Sequence, residues 1–159
     1  MKVYFCGSIR GGRDDVHVYR RIVHALQSYG TVLTEHVSSA ELSDRGQRSH
    51  TENSYAHMNK GENNAASGDQ AIHNRDLDWL RQSDVVVAEV TQPSLGVGYE
   101  LGRAVDMKKK IFCLFRPSSG RILSAMIRGA TDVKNFVVRD YSEDEVEKVL
   151  EQFFCSLKN

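Results

Sequence analysis

The sequence predicts a doubly wound α/β fold: a five-stranded parallel sheet with helices on both faces. Three observations point to it. Short apolar runs alternate with amphipathic stretches along the whole chain. Most of those runs are continuous rather than alternating in polarity, which suits strands buried on both sides. The chain has 159 residues, enough for one domain with a substantial core, and no second core or internal repeat is visible.

The strand candidates, in order, are Val3–Cys6, Thr31–Thr34, Val85–Val90, Ile111–Phe115 and Phe136–Val138. The first helix is predicted over Asp14–Tyr29. There Val16, Tyr19, Ile22, Val23 and Leu26 share a face and Gly30 supplies the stop. A second helix runs from about Asp69 to Gln82, with Ile72, Trp79 and Leu80 toward the core. The third spans Val97–Lys109, on a stripe of Val97, Leu101, Ala104 and Val105. A short fourth covers Leu123–Gly129. The fifth, Glu143–Leu157, has the clearest apolar face in Val146, Val149, Leu150, Phe153 and Phe154.

Strict strand–helix alternation argues for parallel strands joined by right-handed crossovers. Five strands suit the flavodoxin/Rossmann-like order 2-1-3-4-5, whose switch point lies between strands one and three. The stretch Ser43–Ser67 breaks the alternation. It is rich in Asn, Ser, Glu, Lys and His and has hardly any apolar residue, so it predicts a mobile polar surface loop. A lid over a site and a plain tolerated insertion are both open for it.

Formal net charge is zero and the pI is about 7.0. That argues against polymeric nucleic acid or an anionic membrane as partner. No apolar run approaches a membrane span, and no signal peptide precedes the first strand. Cys6, Cys113 and Cys155 are odd in number and lack CxxC spacing. Cys6 and Cys113, inside apolar runs, read as buried reduced thiols, which predicts a reducing compartment, cytoplasmic or nuclear. The six histidines, His17, His24, His36, His50, His57 and His73, lack zinc-site spacing, so no metal and no cofactor is expected. His36, just after strand two, is the one placed to line a pocket; the others are read as surface residues.

In such a sheet ligands sit beyond the carboxyl ends of the strands at the switch point. The loops after strands one and three flank it. The first reads Gly7-Ser8-Ile9-Arg10-Gly11-Gly12-Arg13 and leads into a helix. Glycines let backbone N–H groups approach an anion, and the helix start and arginines add positive charge. It is neither a Walker A nor a GxGxxG motif. A phosphate cradle and a simple glycine-rich turn both fit.

The second loop runs from Thr91 through Pro93, Ser94 and Gly96 to Glu100. Ser94 and the Gly96 N–H could serve a second side of a phosphate. Glu100 is predicted in the first helical turn, where the helix dipole favours its carboxylate form. Two roles stand: a nucleophile, or a solvated complement to the dipole. Glu89, near the end of strand three, is a rival carboxylate; Asp84 lies at the wrong end of that strand. Asp76 shares a helix with Ile72 and Trp79, so it can point inward with a raised pKa, or simply pair with an arginine. Tyr4 sits in a buried strand, where its hydroxyl needs a partner. A polar loop, Arg116–Arg121 followed by Ser124, ends strand four.

Together, Tyr4–Gly12, Thr34–Val37, Val87–Gly102 and Leu123–Ile127 resemble the 2′-deoxynucleoside 5′-phosphate N-hydrolases, within the wider nucleoside 2-deoxyribosyltransferase group. The resemblance spans nearly the whole chain except Ser43–Ser67 and the last residues. The run through Glu100 is its most specific part. It implies hydrolysis of the N-glycosidic bond of deoxynucleoside 5′-monophosphates, through a covalent glycosyl ester on Glu100. Asp76 would serve the leaving base and incoming water, and Tyr4 would place Asp76 or the sugar. Gly7, Ser8, Ile9, Arg10, Gly11, Ser94 and Gly96 would surround the phosphate. Ser124 would reach it from the neighbouring subunit of a homodimer, and Met126 and His36 would border the base.

Two other readings remain. A deoxyribosyltransferase would use the same glutamate but pass the sugar to an acceptor base. A nucleotide-binding module without catalysis would share the fold, since fold alone does not decide function.

Overall fold

A computed structural model describes residues 1–9, 14–34, 37, 65–132 and 134–158, with the side chains of 65–67 left aside. Five parallel strands form one sheet in the order β2-β1-β3-β4-β5. The predicted fold class and strand order are therefore borne out. The elements are β1 Lys2–Cys6, α1 Val16–Leu26, β2 Thr31–Val32, α2 Ala65–Gln82, β3 Val85–Glu89 and α3 Leu95–Asp106. Then follow β4 Lys110–Phe115, a 3-10 turn at Pro117–Ser119, α4 Ala125–Arg128 and β5 Phe136–Asp140. A second 3-10 turn, Glu143–Glu145, leads into α5 Val146–Ser156.

Strand periodicity divides the core in two. Val3, Phe5, Val85, Val87, Phe112 and Leu114 pack with α1 and α5 on one face. Tyr4, Cys6, Val86, Ala88, Ile111 and Cys113 pack with α2 and α3 on the other. Both layers are apolar because every central strand is covered twice. Stacked Phe112 and Phe153 rings, 4.2 Å apart, join α5 to the sheet. The parity also decides function, since Tyr4 falls on the face that carries Asp76 and Glu100.

Several boundaries differ from the expected ones, each for a local reason. β2 is shorter than Thr31–Thr34 because a side chain takes over the pairing. The Leu33 N–H still donates to Val3 O at 2.9 Å. Beyond it, Thr34 Oγ1 accepts from the Phe5 N–H at 2.8 Å and donates to Phe5 O at 2.7 Å. Helix α3 starts at Leu95 because Ser94 is its N-cap, and it stops before Lys108, whose φ is 56°. Helix α2 already begins at Ala65, so the predicted loop over Ser43–Ser67 is shortened at its end. Residues 43–64 lie outside the described residues. Leu77, missed on the apolar stripe of α2, is buried. Gly30 acts less as a helix stop than as a close-approach residue: a Cβ there would meet Met1 O at 2.1 Å.

Candidate active site

A cleft of about 970 Å³ opens at the carboxyl ends of β1 and β3, within the size range of small-molecule sites. Its floor is Tyr4 and Cys6. Asp76 and His73 of α2 form one wall, the β3–α3 loop and Glu100 another, and Leu123–Ile127 the rim. Gly7, Ile9, Ser94, Gly96, Ser124 and Met126 all line it. Arg10, Gly11 and His36 lie outside the described residues.

Three side chains meet at its base. The Tyr4 hydroxyl donates to Glu100 Oε1 at 2.5 Å, which leaves Oε2 for other work. The Glu100 carboxyl is pushed up to about 7: burial raises it most, the Tyr4 bond offsets part of that rise, and the nearby Asp76 charge adds to it. Burial with the adjacent Glu100 also raises the Tyr4 phenol. Asp76 is raised by burial, while Arg75 and His73 pull it down. Arg75 holds one oxygen of Asp76: Nε donates to Oδ1 at 2.9 Å, and Nη2 lies 2.8 Å from the same atom. The guanidinium in turn lies over the Trp79 ring at 4.7 Å. Asp76 is thus both inward-facing and arginine-paired.

One expectation needs correction. Glu100 is the sixth residue of α3, not in its first turn, because Ser94 caps the helix two residues earlier than predicted. The dipole effect fades within one turn, and desolvation wins: the carboxyl is raised, not lowered. The Tyr4 phenol bonds Glu100, since β1 presents it toward α3.

Around the cleft, Ser94 Oγ accepts from the Val97 N–H at 3.4 Å, so its own hydrogen remains for a ligand. Ser8 is fully buried and is not among the described lining residues. Its N–H donates to Tyr19 Oη at 3.1 Å. Ser124 caps α4, accepting from the Met126 N–H at 3.3 Å. Glu89, the rival carboxylate, is wholly buried. It accepts from Thr91 and Tyr141 and does not line the cleft among the described residues. Asp84 accepts from the Lys2 N–H at 2.7 Å, a sheet-end contact. Cys6 is buried with its thiol pushed up by desolvation, which removes it as a nucleophile at neutral pH.

His73 is exposed, as expected, and also lines the cleft, where it bonds Tyr99 Oη through Nε2 at 2.9 Å. Its signal in the sequence was the i, i+3 spacing to Asp76 on one helix. Among the described residues no group of three or more His, Cys, Asp or Glu is placed to hold a metal ion.

A doubly wound α/β protein with two carboxylates and a tyrosine in a switch-point cleft is the class that the fold and site define. The chain belongs to the nucleoside 2-deoxyribosyltransferase family, whose model matches residues 3–140. The sequence is 65% identical over 158 residues to the 5-hydroxymethyl-dUMP N-hydrolase of Tetraodon nigroviridis, covering 99% of this chain and 100% of that one. It is 59% identical over 157 residues to the protein of the same name from Esox lucius, with 99% and 98% covered. Among solved structures, a Clostridium botulinum CMP N-glycosidase superposes with a TM-score of 0.62 at 20% identity, over 96% of this chain and 99% of that one.

Proposed function

We propose that this protein hydrolyses the N-glycosidic bond of 2′-deoxynucleoside 5′-monophosphates, giving free base and 2-deoxyribose 5-phosphate. The observation that carries the reading is the Tyr4–Glu100 bond at 2.5 Å, in a cleft that Asp76 also lines. Two carboxyls that line one cleft suit a retaining mechanism, in which they stand about 5–5.5 Å apart across the reacting carbon.

Glu100 Oε2 attacks C1′ as the base departs, forming a glycosyl ester. Asp76, protonated, gives its proton to the leaving base. Water then attacks C1′, Asp76 takes the water proton, and the Glu100 carboxylate leaves. The missing 2′-hydroxyl makes the oxocarbenium-like transition state easier to reach. Tyr4 holds Oε1 so that Oε2 faces the sugar. Gly7, Ile9, Arg10, Gly11, Ser94 and Gly96 grip the phosphate, with Ser8 supporting the loop from beneath. Binding energy gained there, remote from C1′, orients the sugar. Met126 and His36 border the base.

The two relatives are named for 5-hydroxymethyl-dUMP, and modified pyrimidine monophosphates of that kind are the proposed substrates here. Leu95, Ile122 and Met126 are 96%, 93% and 82% exposed around the cleft mouth. A second copy of the chain covers this apolar rim in the proposed homodimer, bringing Ser124 to the partner's phosphate. The unpaired thiols Cys6, Cys113 and Cys155 suit the cytoplasm or nucleus. No helix among the described residues is long and apolar enough to cross a membrane.

The test is to incubate pure protein with modified and unmodified deoxynucleoside monophosphates and with the matching nucleosides, following free base by chromatography. Release from monophosphates is the expected result. Release only from nucleosides, or exchange into an added second base without hydrolysis, would overturn it. For the dimer, mixing Glu100→Gln and Ser124→Ala proteins should restore activity that each lacks; no restoration removes the shared site.

A further inference from the structure

Behind the cleft lies a buried cluster of charge that the chemistry above does not use. Arg116 follows β4 directly, and its side chain is only 7% exposed. Its Nη2 pairs with Asp15 Oδ1 and its Nη1 with Glu143 Oε1. Nε stands 3.6 Å from Glu89 Oε1. The backbone joins in: the Arg116 N–H donates to Thr91 Oγ1 at 2.9 Å, and that hydroxyl donates to Glu89 Oε1 at 2.5 Å. Tyr141 Oη donates to the same carboxylate at 3.1 Å.

The partners' positions give the cluster its meaning. Asp15 ends the segment that leaves β1 at Gly7 and immediately precedes α1. Glu89 ends β3, and Thr91 opens the loop that carries Ser94. Arg116 itself opens the connection that carries Ser124. Each of the three loops around the cleft is therefore rooted on one guanidinium. Asp15 stands at the N-cap position of α1, yet its side chain makes no capping bond there. A carboxylate at that position ordinarily caps the helix; this one is committed to Arg116. Only a planar fork can hold several acceptors in fixed directions, so lysine would keep the charge and lose the geometry.

We propose that Arg116 is a positioning residue: its buried guanidinium sets the spacing of the three loop roots, and through them the grip on the substrate's phosphate end. This rests on the monophosphate reading above. Arg116 is not among the described residues that line the cleft. Loops that are out of register lose contacts made equally in ground and transition states, which raises KM and leaves kcat. A merely structural role would lower the folded fraction, and kcat would fall at unchanged KM.

The experiment is steady-state kinetics of Arg116→Lys on a deoxynucleoside monophosphate, with thermal unfolding measured alongside. The expected result is a KM raised by ~tenfold with kcat within about threefold. Asp15→Asn keeps the side-chain shape and weakens the same tie. It should raise KM in the same direction, and it serves if the lysine variant does not fold. A fall in kcat at unchanged KM, or folded variants with unaltered KM, overturns the proposal. If the unaltered protein binds a monophosphate but releases no base, only the hydrolytic reading has failed. The same comparison is then made on Kd by calorimetry. A monophosphate neither bound nor cleaved removes both.

Discussion

Tyr4 on the first strand donates its hydroxyl to Glu100 Oε1 at 2.5 Å across 96 residues of sequence. The bond stabilises the charged form of a carboxyl that burial nonetheless holds up at about 7. Its loss should therefore move the acid limb of the kcat/KM profile to higher pH, because Glu100 must be ionised to attack. Tyr4→Phe should also lower kcat by roughly 10- to 100-fold, the worth of one oriented charged hydrogen bond. Profiles of the two proteins between pH 5 and pH 9 test this. An unmoved limb would mean that Glu100 is not the group titrating.

The same carboxyl has a measurable effect on the fold. Its pKa is about 7 when folded and near 4.5 ordinarily, so the folded state holds its proton more tightly than the unfolded state. The stabilisation this gives is fully present below about pH 4.5 and is lost as pH rises through about 7. Its size is on the order of 3 kcal/mol at most. Asp76 and Glu89, both raised by burial, act in the same direction, so a difference is needed to isolate Glu100. Glu100→Gln, which can still accept from Tyr4, should be more stable than the unaltered protein at pH 8 and no more stable at pH 4. Urea unfolding at the two pH values reads this out, and equal differences at both would refute the assignment.

Asp76 and Arg75 form a second couple with its own kinetic signature. As the acid for the departing base, Asp76→Asn should cost ~10²- to 10⁴-fold in kcat. The loss should shrink for bases that leave well without a proton. Arg75 lowers the Asp76 pKa, so Arg75→Gln should favour the protonated acid and move the alkaline limb upward. A loss independent of the leaving base would assign Asp76 to orientation instead.

How much of this was readable in advance follows from where each signal lives. Strand order and the two-faced core came from continuous apolar runs such as Val85–Val90, because hydrophobic periodicity is a property of each segment alone. Tyr4 and Glu100 stand in motif-like runs, and Asp76 on the helix stripe of Ile72 and Trp79. Their couplings have no such signal. Which carboxylate Tyr4 meets depends on the parity of β1 and the rotation of α3, and that rotation was fixed by where Ser94 caps the helix. Glu89 looked equal to Glu100 because both lie near the carboxyl end of the sheet; only burial beside Arg116 and Tyr141 separates them. Arg116 draws its partners from three separate segments, at Asp15, at Glu89–Thr91 and at Tyr141–Glu143, so no local pattern announces the cluster.

Gly7 offers the sharpest test of how the phosphate loop is held. A Cβ built there would stand 2.9 Å from Tyr19 Cε2 and 3.0 Å from Cζ, inside van der Waals contact. The ring has little room to withdraw: Tyr19 is fully buried, its edge packs on Phe5 at 5.7 Å, and its oxygen accepts the Ser8 N–H. Gly7→Ala should therefore cost about 1–3 kcal/mol of stability as an overpacked site, and should raise KM for the monophosphate because the loop that starts here must shift. Replacing the ring by a smaller side chain makes room, so Tyr19→Leu combined with Gly7→Ala should lose less stability than the two single changes added together. That coupling, measured by denaturant unfolding of all four proteins, separates a clash from a loss of backbone freedom. If the losses simply add, the alanine acts through its own conformational restriction and the Tyr19 ring is not what excludes it.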